Sequence, residues 1–253
     1  MAEFTVTAQD LRSALQALKP FVPRPTKRDD EQQEDIAVVL GHLVQDRELI
    51  LTTVGAAGTA VAVLPLVDWD GELTDFAIHT SDVPTLITTF RRPDRAVDVT
   101  IRHHSYTVPA MREGQAEQHM RNTLISLTET GQLFGAATIT LAGCDAREID
   151  VANAWASLAI ETAGPFQTST AIPGRILALT SAAEKAYGGD TRYAVSGSRQ
   201  VVATVGDTFL AGMWVQRFTN DGSDRDFHER TRSTWRTTMD RLTSQAPNHH
   251  IYR

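Results

Sequence analysis

Apolar positions recur at two spacings along this 253-residue chain. Spacings of three and four put Leu11, Leu15 and Leu18 on one side of a helix predicted within 7–21, behind a polar cap. Elsewhere apolar residues alternate with polar ones, which predicts strands. In the N-terminal half the predicted strands are 4–6, 36–43, 48–53, 59–66, 76–79 and 97–101, with 106–108 returning as a partner of the last. The pattern therefore indicates an α+β chain built from antiparallel hairpins.

A strand that leads through a proline into an apolar helix is predicted twice. In 166–188, Pro173 opens the helix and Gly188 can take the left-handed conformation that ends one. A similar succession runs through 76–92, with Pro84 at the start of the helix. We infer an internal repeat, in which no counterpart of the helix at 7–21 is found in the second copy.

The repeat divides the chain into two domains, 1–112 and 123–218, joined by a polar linker at 113–122. A helical tail, 219–253, follows. The strands predicted in the second domain are 124–127, 133–141, 155–161, 193–195, 201–205 and 209–218. In the tail, one stripe of the helix consists of Phe227, Thr231, Trp235, Met239 and Leu242, and another consists of Arg225, Arg232 and Arg236. The apolar stripe is expected to dock on the body of the protein; a contact with a partner or with DNA is the alternative.

Composition excludes several classes of protein. With 42% hydrophobic residues the chain can bury a substantial core, and a net charge of −7 argues against a generally basic nucleic-acid coat protein. Cys144 is the single cysteine, so an internal disulfide and a multi-cysteine metal site are excluded. Neither a signal peptide nor an apolar run of membrane-spanning length is recognised, which makes the cytoplasm the expected location.

Candidate chemistry is sparse. The segment 55–58 is too short for a phosphate-binding loop and lacks the following Lys-Ser or Lys-Thr. The pairs at 103–104 and 249–250 are adjacent histidines without a third metal ligand at suitable spacing, and the acidic loop 29–35 is expected to be solvated. We therefore expect no catalytic residue, no cofactor and no metal site.

Basic side chains recur on the polar faces of the predicted helices. Arg12 and Lys19 lie opposite the leucines of the first helix, and Arg175 and Lys185 share a face of the helix after Pro173. Such stripes are either ordinary solvated surface or a contact for an anionic partner. Each single residue fits both interpretations equally well.

Several segments together resemble a DNA sliding clamp, the ring-shaped processivity factor of replicative polymerases. Residues 4–19 resemble the opening strand and helix of a clamp domain, and 48–55 the strand and turn that follow. The Pro84 and Pro173 segments resemble the second helix, and 209–217 the closing strand of bacterial clamps. The resemblance covers about residues 1–110 and 160–217 and rests on apolar spacing. A two-domain clamp of a phage or of a divergent bacterium fits this pattern.

The resemblance implies repeated domains with helices lining a central hole and antiparallel sheets outside. Rings of this family contain six domains, so two domains per chain imply a head-to-tail homotrimer around duplex DNA. The side chains implied to face DNA without reading its sequence are Arg12, Lys19, Arg91, Arg92, Arg175 and Lys185.

The resemblance also implies an apolar pocket for short peptides of the DNA polymerase and the clamp loader. Met213, Trp214 and Val215 would form its wall, with Pro109 near the linker. Bacterial clamps usually have a proline where Trp214 stands, and core packing is the alternative role for these residues. A clamp-like interaction module that does not close into a ring, and binds replication-protein peptides, remains the alternative function.

Overall fold

A computed structural model of the chain describes residues 1–22, 38–45, 47–55, 57–108, 118–130, 136–143, 155, 158, 163–164, 174–196, 200–214, 233, 235–238 and 240. The strands are β1 (Ala2–Thr7), β2 (Val38–Val44), β3 (Glu48–Gly55), β4 (Gly58–Pro65), β5 (Asp68–Trp69), β6 (Asp75–His79), β7 (Ala96–Val108), β8 (Gln118–Glu129), β9 (Thr138–Gly143), β10 (Ala163–Gly164), β11 (Thr191–Ser196), β12 (Gln200–Val205) and β13 (Phe209–Trp214). The helices are α1 (Ala8–Leu18), a 3-10 turn at Lys19–Phe21, α2 (Val83–Thr89) and α3 (Gly174–Tyr187). The chain is α+β with antiparallel sheets, as predicted.

The chain forms two compact units. The first unit consists of residues 1–12, 24–49 and 64–148, and the second of 13–23, 50–63 and 149–253. In the described residues the order of one helix and then three strands occurs three times: α1 precedes β2 to β4, α2 precedes β7 to β9, and α3 precedes β11 to β13. In the described residues a strand precedes each of these modules, β1, β6 and β10 respectively.

The first unit contains a five-stranded antiparallel sheet in the order β5-β1-β7-β8-β9. Its apolar residues alternate along each strand, so one face is buried; in register, Phe4 lies opposite Val99, and Val99 opposite Leu127. The ring of Phe4 stacks on that of Phe76 in β6, with 6.2 Å between centroids. The core of this unit therefore lies between the sheet and β6.

Gly41 in β2 makes room for that aromatic pair. It lies opposite Phe76 in the β2–β6 ladder, and a Cβ at residue 41 would come within 3.0 Å of three atoms of the Phe76 ring. Phe76 is only 5% exposed, so its ring has little space into which to move. A side chain at this position would be strongly disfavoured.

In the second unit the strands follow the order β10-β11-β12-β13-β4-β3. The β13–β4 ladder is antiparallel and runs from the pair Phe209–Ala62 to the pair Met213–Gly58. Phe209 is fully buried and its ring lies 6.0 Å from that of Phe21 and 6.4 Å from that of Tyr187. These aromatic contacts tie the 3-10 turn and α3 to the sheet.

Two predicted features of the first unit are wrong at the level of secondary structure. No hairpin turn interrupts 97–108; β7 is continuous and pairs along its whole length with β8. Residues 118–122, predicted as linker, are the first part of β8 and lie opposite 104–108. The cause is pairing across the sheet, which satisfies the backbone of these polar residues although their own sequence shows no strand periodicity. The proposed domain boundaries themselves stay a prediction.

The prediction of a strand at 155–161 is also wrong for residues 155 and 158, which the structure describes. Trp155 is helical, and the backbone N–H of Leu158 donates to its carbonyl at 3.0 Å, which closes a turn. The indole N–H of Trp155 donates to Thr52 Oγ1 at 3.0 Å, and both apolar side chains are buried. The burial of Trp155 and Leu158 thus accompanies a turn and not a strand.

The predicted C-terminal helix is described at 233, 235–238 and 240, all helical. Trp235 is 1% exposed, as expected of a residue that docks on the body of the protein, whereas Arg236 is exposed. The other members of both predicted stripes lie outside the described residues. Of the helices in the described ranges, none combines the length and apolar character needed to cross a membrane.

Candidate nucleic-acid interface

The first predicted basic face belongs to α1. Thr7 caps this helix, since its Oγ1 accepts the N–H of Asp10 at 3.0 Å and donates to the Asp10 carboxylate at 2.7 Å. With the helix so started, its leucines are buried, and the polar side carries Arg12, which is half-buried, and Lys19, which is exposed. Helical periodicity alone predicted this placement.

The second basic face belongs to α3. This helix buries Ile176, Thr180 and Ala183, and the Thr180 hydroxyl hydrogen-bonds to that of Tyr193 at 2.6 Å. Arg175 and Lys185 are exposed on the other side, as predicted. The buried stripe runs through Thr180, and the neighbouring Leu179 is half-buried.

Gly188 ends α3 as predicted. Its φ of +67° is left-handed, and its N–H donates to the Glu184 carbonyl at 2.9 Å. The exposed Lys185 therefore lies in a defined last turn, where a cation also offsets the partial negative charge of the helix end.

Within the second unit, α3 packs against the C-terminal part of α1. The Ser13 hydroxyl donates to the carbonyl of Ala186 at 3.0 Å, and the 3-10 turn that begins with Lys19 contacts α3. Ser13 is 4% exposed, so its bond supplies a buried partner for one of the last carbonyls of α3. Lys19 and Lys185 consequently flank the same helix contact. Sequence reasoning missed Ser13 because a serine in a helix interior carries no signal of the distant carbonyl that it binds.

Arg91 and Arg92 are exposed but do not lie on a helix, which corrects the prediction that placed them there. α2 ends at Thr89, and Phe90, only 1% exposed, leaves the helical conformation with φ −90° and ψ 64°. Pro93 follows and disfavours helical backbone at the residue before it. The two arginines therefore project from the segment that leaves α2.

The six predicted DNA-facing side chains are weakly neutralised by the protein itself. None of them forms an ion pair within the described part of the chain. The first unit carries Arg12, Arg91 and Arg92, and the second carries Lys19, Arg175 and Lys185. Scattered cations of this kind can meet phosphates without fixing a register on the duplex.

The predicted peptide-pocket residues are described only in part. Met213 is fully buried, while Trp214 is 53% exposed although both faces of β13 are buried up to this last residue of the strand. The backbone N–H of Trp214 donates to the Ala57 carbonyl at 3.3 Å, which holds the end of the strand in place. Pro109 and Val215 lie outside the described residues, so the pocket stays a prediction.

The remaining candidate chemistry has ordinary structural partners. His103 lies between two hydroxyls, with Nε2 3.0 Å from Thr74 Oγ1 and Nδ1 3.0 Å from Thr123 Oγ1. Across the described ranges, no cluster of three or more His, Cys, Asp or Glu side chains could hold a metal ion. Cys144 and the pair at 249–250 lie outside those ranges.

Neither a protein-family model nor a curated protein sequence matches this chain. Solved structures do match. The DNA polymerase III subunit beta of Pseudomonas aeruginosa is 16% identical with a TM-score of 0.50, and the match covers 90% of this chain and 67% of that one. A second structure from that organism, described as a sliding clamp, gives 15% identity, a TM-score of 0.50 and the same coverage. The match to the DNA polymerase III beta subunit of Thermotoga maritima has 9% identity and a TM-score of 0.52, and it covers 90% of this chain and 67% of that one.

At such identities the similarity concerns architecture. It extends over nine tenths of the chain and joins proteins that share little sequence, so it reflects the arrangement of helices and sheets described above. The resemblance predicted from the sequence is confirmed at this level: the chain has the α+β fold of the bacterial DNA polymerase III beta sliding clamps.

Proposed function

We propose that this protein is a DNA sliding clamp, a non-enzymatic processivity factor that encircles duplex DNA in the cytoplasm and tethers a replicative polymerase. The observation that carries the proposal is the fold, which matches beta sliding clamps over 90% of the chain. The clamp's task in this proposal is topological and needs no catalytic residue. Its partners are duplex DNA, other copies of the chain, and peptides of the polymerase and the clamp loader.

In this proposal the side chains that make loose contact with DNA are those of Arg12, Lys19, Arg91, Arg92, Arg175 and Lys185. Five of the six are exposed on long, flexible side chains, so these five can follow a passing phosphate at little energetic cost. The net charge of −7 repels DNA from the rest of the surface. Together these features favour weak, sequence-independent contact, which sliding requires.

The proposed assembly is a head-to-tail homotrimer. The match spans 67% of the P. aeruginosa beta chain, the share expected if this chain has two of three domains. Six domains in a ring would then need three copies, and each copy would contact its neighbour through two different surfaces. Native mass spectrometry should accordingly give three times the 27.8-kDa mass of one chain.

The proposed peptide site lies around the end of β13, with Met213 and Trp214 joined by Val215 and Pro109. Trp214 supports the proposal because a tryptophan that is 53% exposed offers a large apolar surface for a partner side chain. Binding of synthetic peptides of the polymerase-tail type would be measured by fluorescence of that indole.

A charge-reversal experiment tests the proposal. The variant carrying Arg12→Glu, Arg91→Glu and Arg175→Glu should remain a folded trimer but lose binding to duplex DNA at low salt, since six units of charge change per chain. A control variant, Arg102→Glu, reverses an exposed arginine of the five-stranded sheet and should bind as the wild type does. Unchanged binding by the triple variant, or a wild-type protein that is strictly monomeric at micromolar concentration, would remove the ring proposal.

One observation favours the second candidate, a clamp-like interaction module that does not close into a ring. In the described part of the chain the order of one helix and three strands occurs three times, whereas two complete domains with two helices each would give four. Such a module would bind replication-protein peptides as a monomer. A closed ring seen by native mass spectrometry would exclude it.

A further inference from the structure

Residues 65–75, here called the β5 segment, are exposed along most of their length. The segment belongs to the first unit and leads from the end of β4 through β5 to the start of β6. Among the described residues six large apolar side chains are exposed, and half of them belong to this segment or to the chain end beside it: Met1, Val67 and Leu73. The N-terminal amine of Met1 lies 3.0 Å from the Glu72 carboxylate. Exposed apolar side chains gathered in one place are typical of a binding surface.

Hydrogen bonds order the turn of the β5 segment. The backbone N–H of Asp70 donates to the Glu3 carbonyl at 3.0 Å. The Asp70 carboxylate accepts the N–H of Glu3 at 2.8 Å and the N–H of Glu72 at 2.9 Å. The indole N–H of Trp69 donates to the Glu72 carbonyl at 3.2 Å. A surface that is ordered in advance loses little conformational entropy when a partner binds to it.

The β5 segment is also acidic. It contains no lysine, arginine or histidine, and its four carboxylates are those of Asp68, Asp70, Glu72 and Asp75. In register, Thr5 of β1 lies opposite Asp68 on one side and opposite Asp98 of β7 on the other, and Glu3 of β1 is exposed as well. None of Glu3, Asp68 and Asp98 forms an ion pair within the described ranges. Their charges are therefore available to a partner.

The apolar and acidic groups together define the chemistry of that partner. A nucleic acid is excluded because the carboxylates would repel its phosphates. A wholly apolar partner would remove the carboxylates from water without offering them a counter-charge, which is costly. A protein segment in which lysine or arginine side chains stand beside apolar ones would cover Val67 and Leu73 and at the same time meet the carboxylates.

We propose that the β5 segment is a docking site for a partner protein, which binds through a stretch that carries lysine or arginine beside apolar residues. The site is distinct from the proposed peptide site at the end of β13, which belongs to the second unit. The inference goes beyond the clamp proposal and does not depend on it.

A library of random peptides displayed on phage tests the proposal, with the full-length chain as bait. Peptides enriched by the wild type are synthesised with a fluorescent label, and their dissociation constants are measured by anisotropy. Those that bind the β5 segment are recognised by their loss of affinity for variants of that segment, and they should contain lysine or arginine beside apolar residues. A higher salt concentration should weaken their binding, because it screens ionic contacts.

A first pair of variants tests the apolar contribution. Val67→Ser with Leu73→Ser removes two exposed side chains of the β5 segment, and the control, Leu124→Ser with Leu177→Ser, removes two exposed leucines elsewhere. The dissociation constants of the selected peptides should rise about tenfold or more in the first variant and stay unchanged in the control. Because the replaced side chains are exposed, thermal unfolding of both variants should stay close to that of the wild type.

A second pair tests the charges, and it keeps the test decisive if the first variant fails to fold. Glu3→Gln with Asp68→Asn removes two negative charges at the site, and Asp190→Asn with Asp207→Asn removes two from exposed positions of the second unit. Asparagine at position 68 still offers an acceptor to the Trp69 N–H, which Asp68 Oδ1 accepts at 2.9 Å. The net charges of the two variants are equal. Only the first should weaken the selected peptides about tenfold or more.

Three results would overturn the inference. The first is a selection that yields no peptide whose affinity depends on the β5 segment. The second is a dependent peptide that lacks basic residues. The third is association of copies through the segment in sedimentation velocity, because a second copy would then be its occupant. Normal DNA binding by a β5 variant that has lost the peptides would support a docking site separate from the proposed contact with DNA.

Discussion

Replacing the two cations of α3 tests whether this helix faces DNA. In the variant Arg175→Ala with Lys185→Ala both side chains are removed from exposed positions, and alanine keeps the helix, since it has the highest helix propensity. Thermal unfolding should therefore change little. Any loss of DNA binding can then be assigned to the missing charge.

The magnitude follows from counterion release. Each phosphate contact contributes about 0.9 to the slope of log K against log salt concentration, so six contacts contribute about −5.4 per chain. Removal of two contacts should reduce its magnitude by about 1.8, a third of the total. The measurement is fluorescence anisotropy of a short labelled duplex over a range of salt concentrations.

The matched control removes two other exposed arginines. Arg102 lies opposite Leu124 in the five-stranded sheet, and Arg192 lies opposite Thr204 in the β11–β12 ladder. The variant Arg102→Ala with Arg192→Ala has the same net charge as the α3 variant and should keep the full slope. If the α3 variant keeps the full slope, or if the control loses as much, α3 does not face DNA.

Two further predictions concern packing and the peptide site. Gly41→Ala should lower the free energy of unfolding by about 1–3 kcal/mol in urea titrations, because the new methyl group clashes with the buried Phe76 ring. The control Gly174→Ala should leave the free energy of unfolding unchanged, because nothing lies within 4 Å of its Cβ. Equal losses in the two variants would contradict the proposed clash with Phe76. In β13, Met213→Ala should cost about 2–5 kcal/mol of stability. Trp214→Ala should stay within about 0.5 kcal/mol of wild type yet weaken peptide binding, and unchanged peptide affinity would remove Trp214 from the proposed site.

Local periodicity predicted the helices well. The leucines of α1, the cap at Thr7 and the terminating Gly188 are signals carried by the residues themselves, so they could be recognised without tertiary information. The part of the β7–β8 ladder that pairs 104–108 with 118–122 could not, because its polar residues gain their strand conformation from each other. A pairing partner ten or more residues away leaves no trace in the spacing of apolar positions.

In the candidate interface, too, some features follow from local sequence signals and others depend on distant contacts. Exposure of Arg175 and Lys185 follows from helical spacing, whereas Arg91 and Arg92 were placed on a helix that the buried Phe90 ends. The contact of Ser13 with α3 depends on how two distant segments pack, which the sequence does not report.

The most direct test of the clamp proposal is topological retention. Protein is threaded onto a duplex attached to a bead at one end, the free end is blocked with biotin and streptavidin, and the bead is washed at a salt concentration that screens ionic contacts. A closed ring should stay on the blocked duplex and leave when a restriction enzyme cuts it, while an unblocked duplex should lose the protein in the wash. Equal loss from blocked and unblocked duplexes would contradict the account.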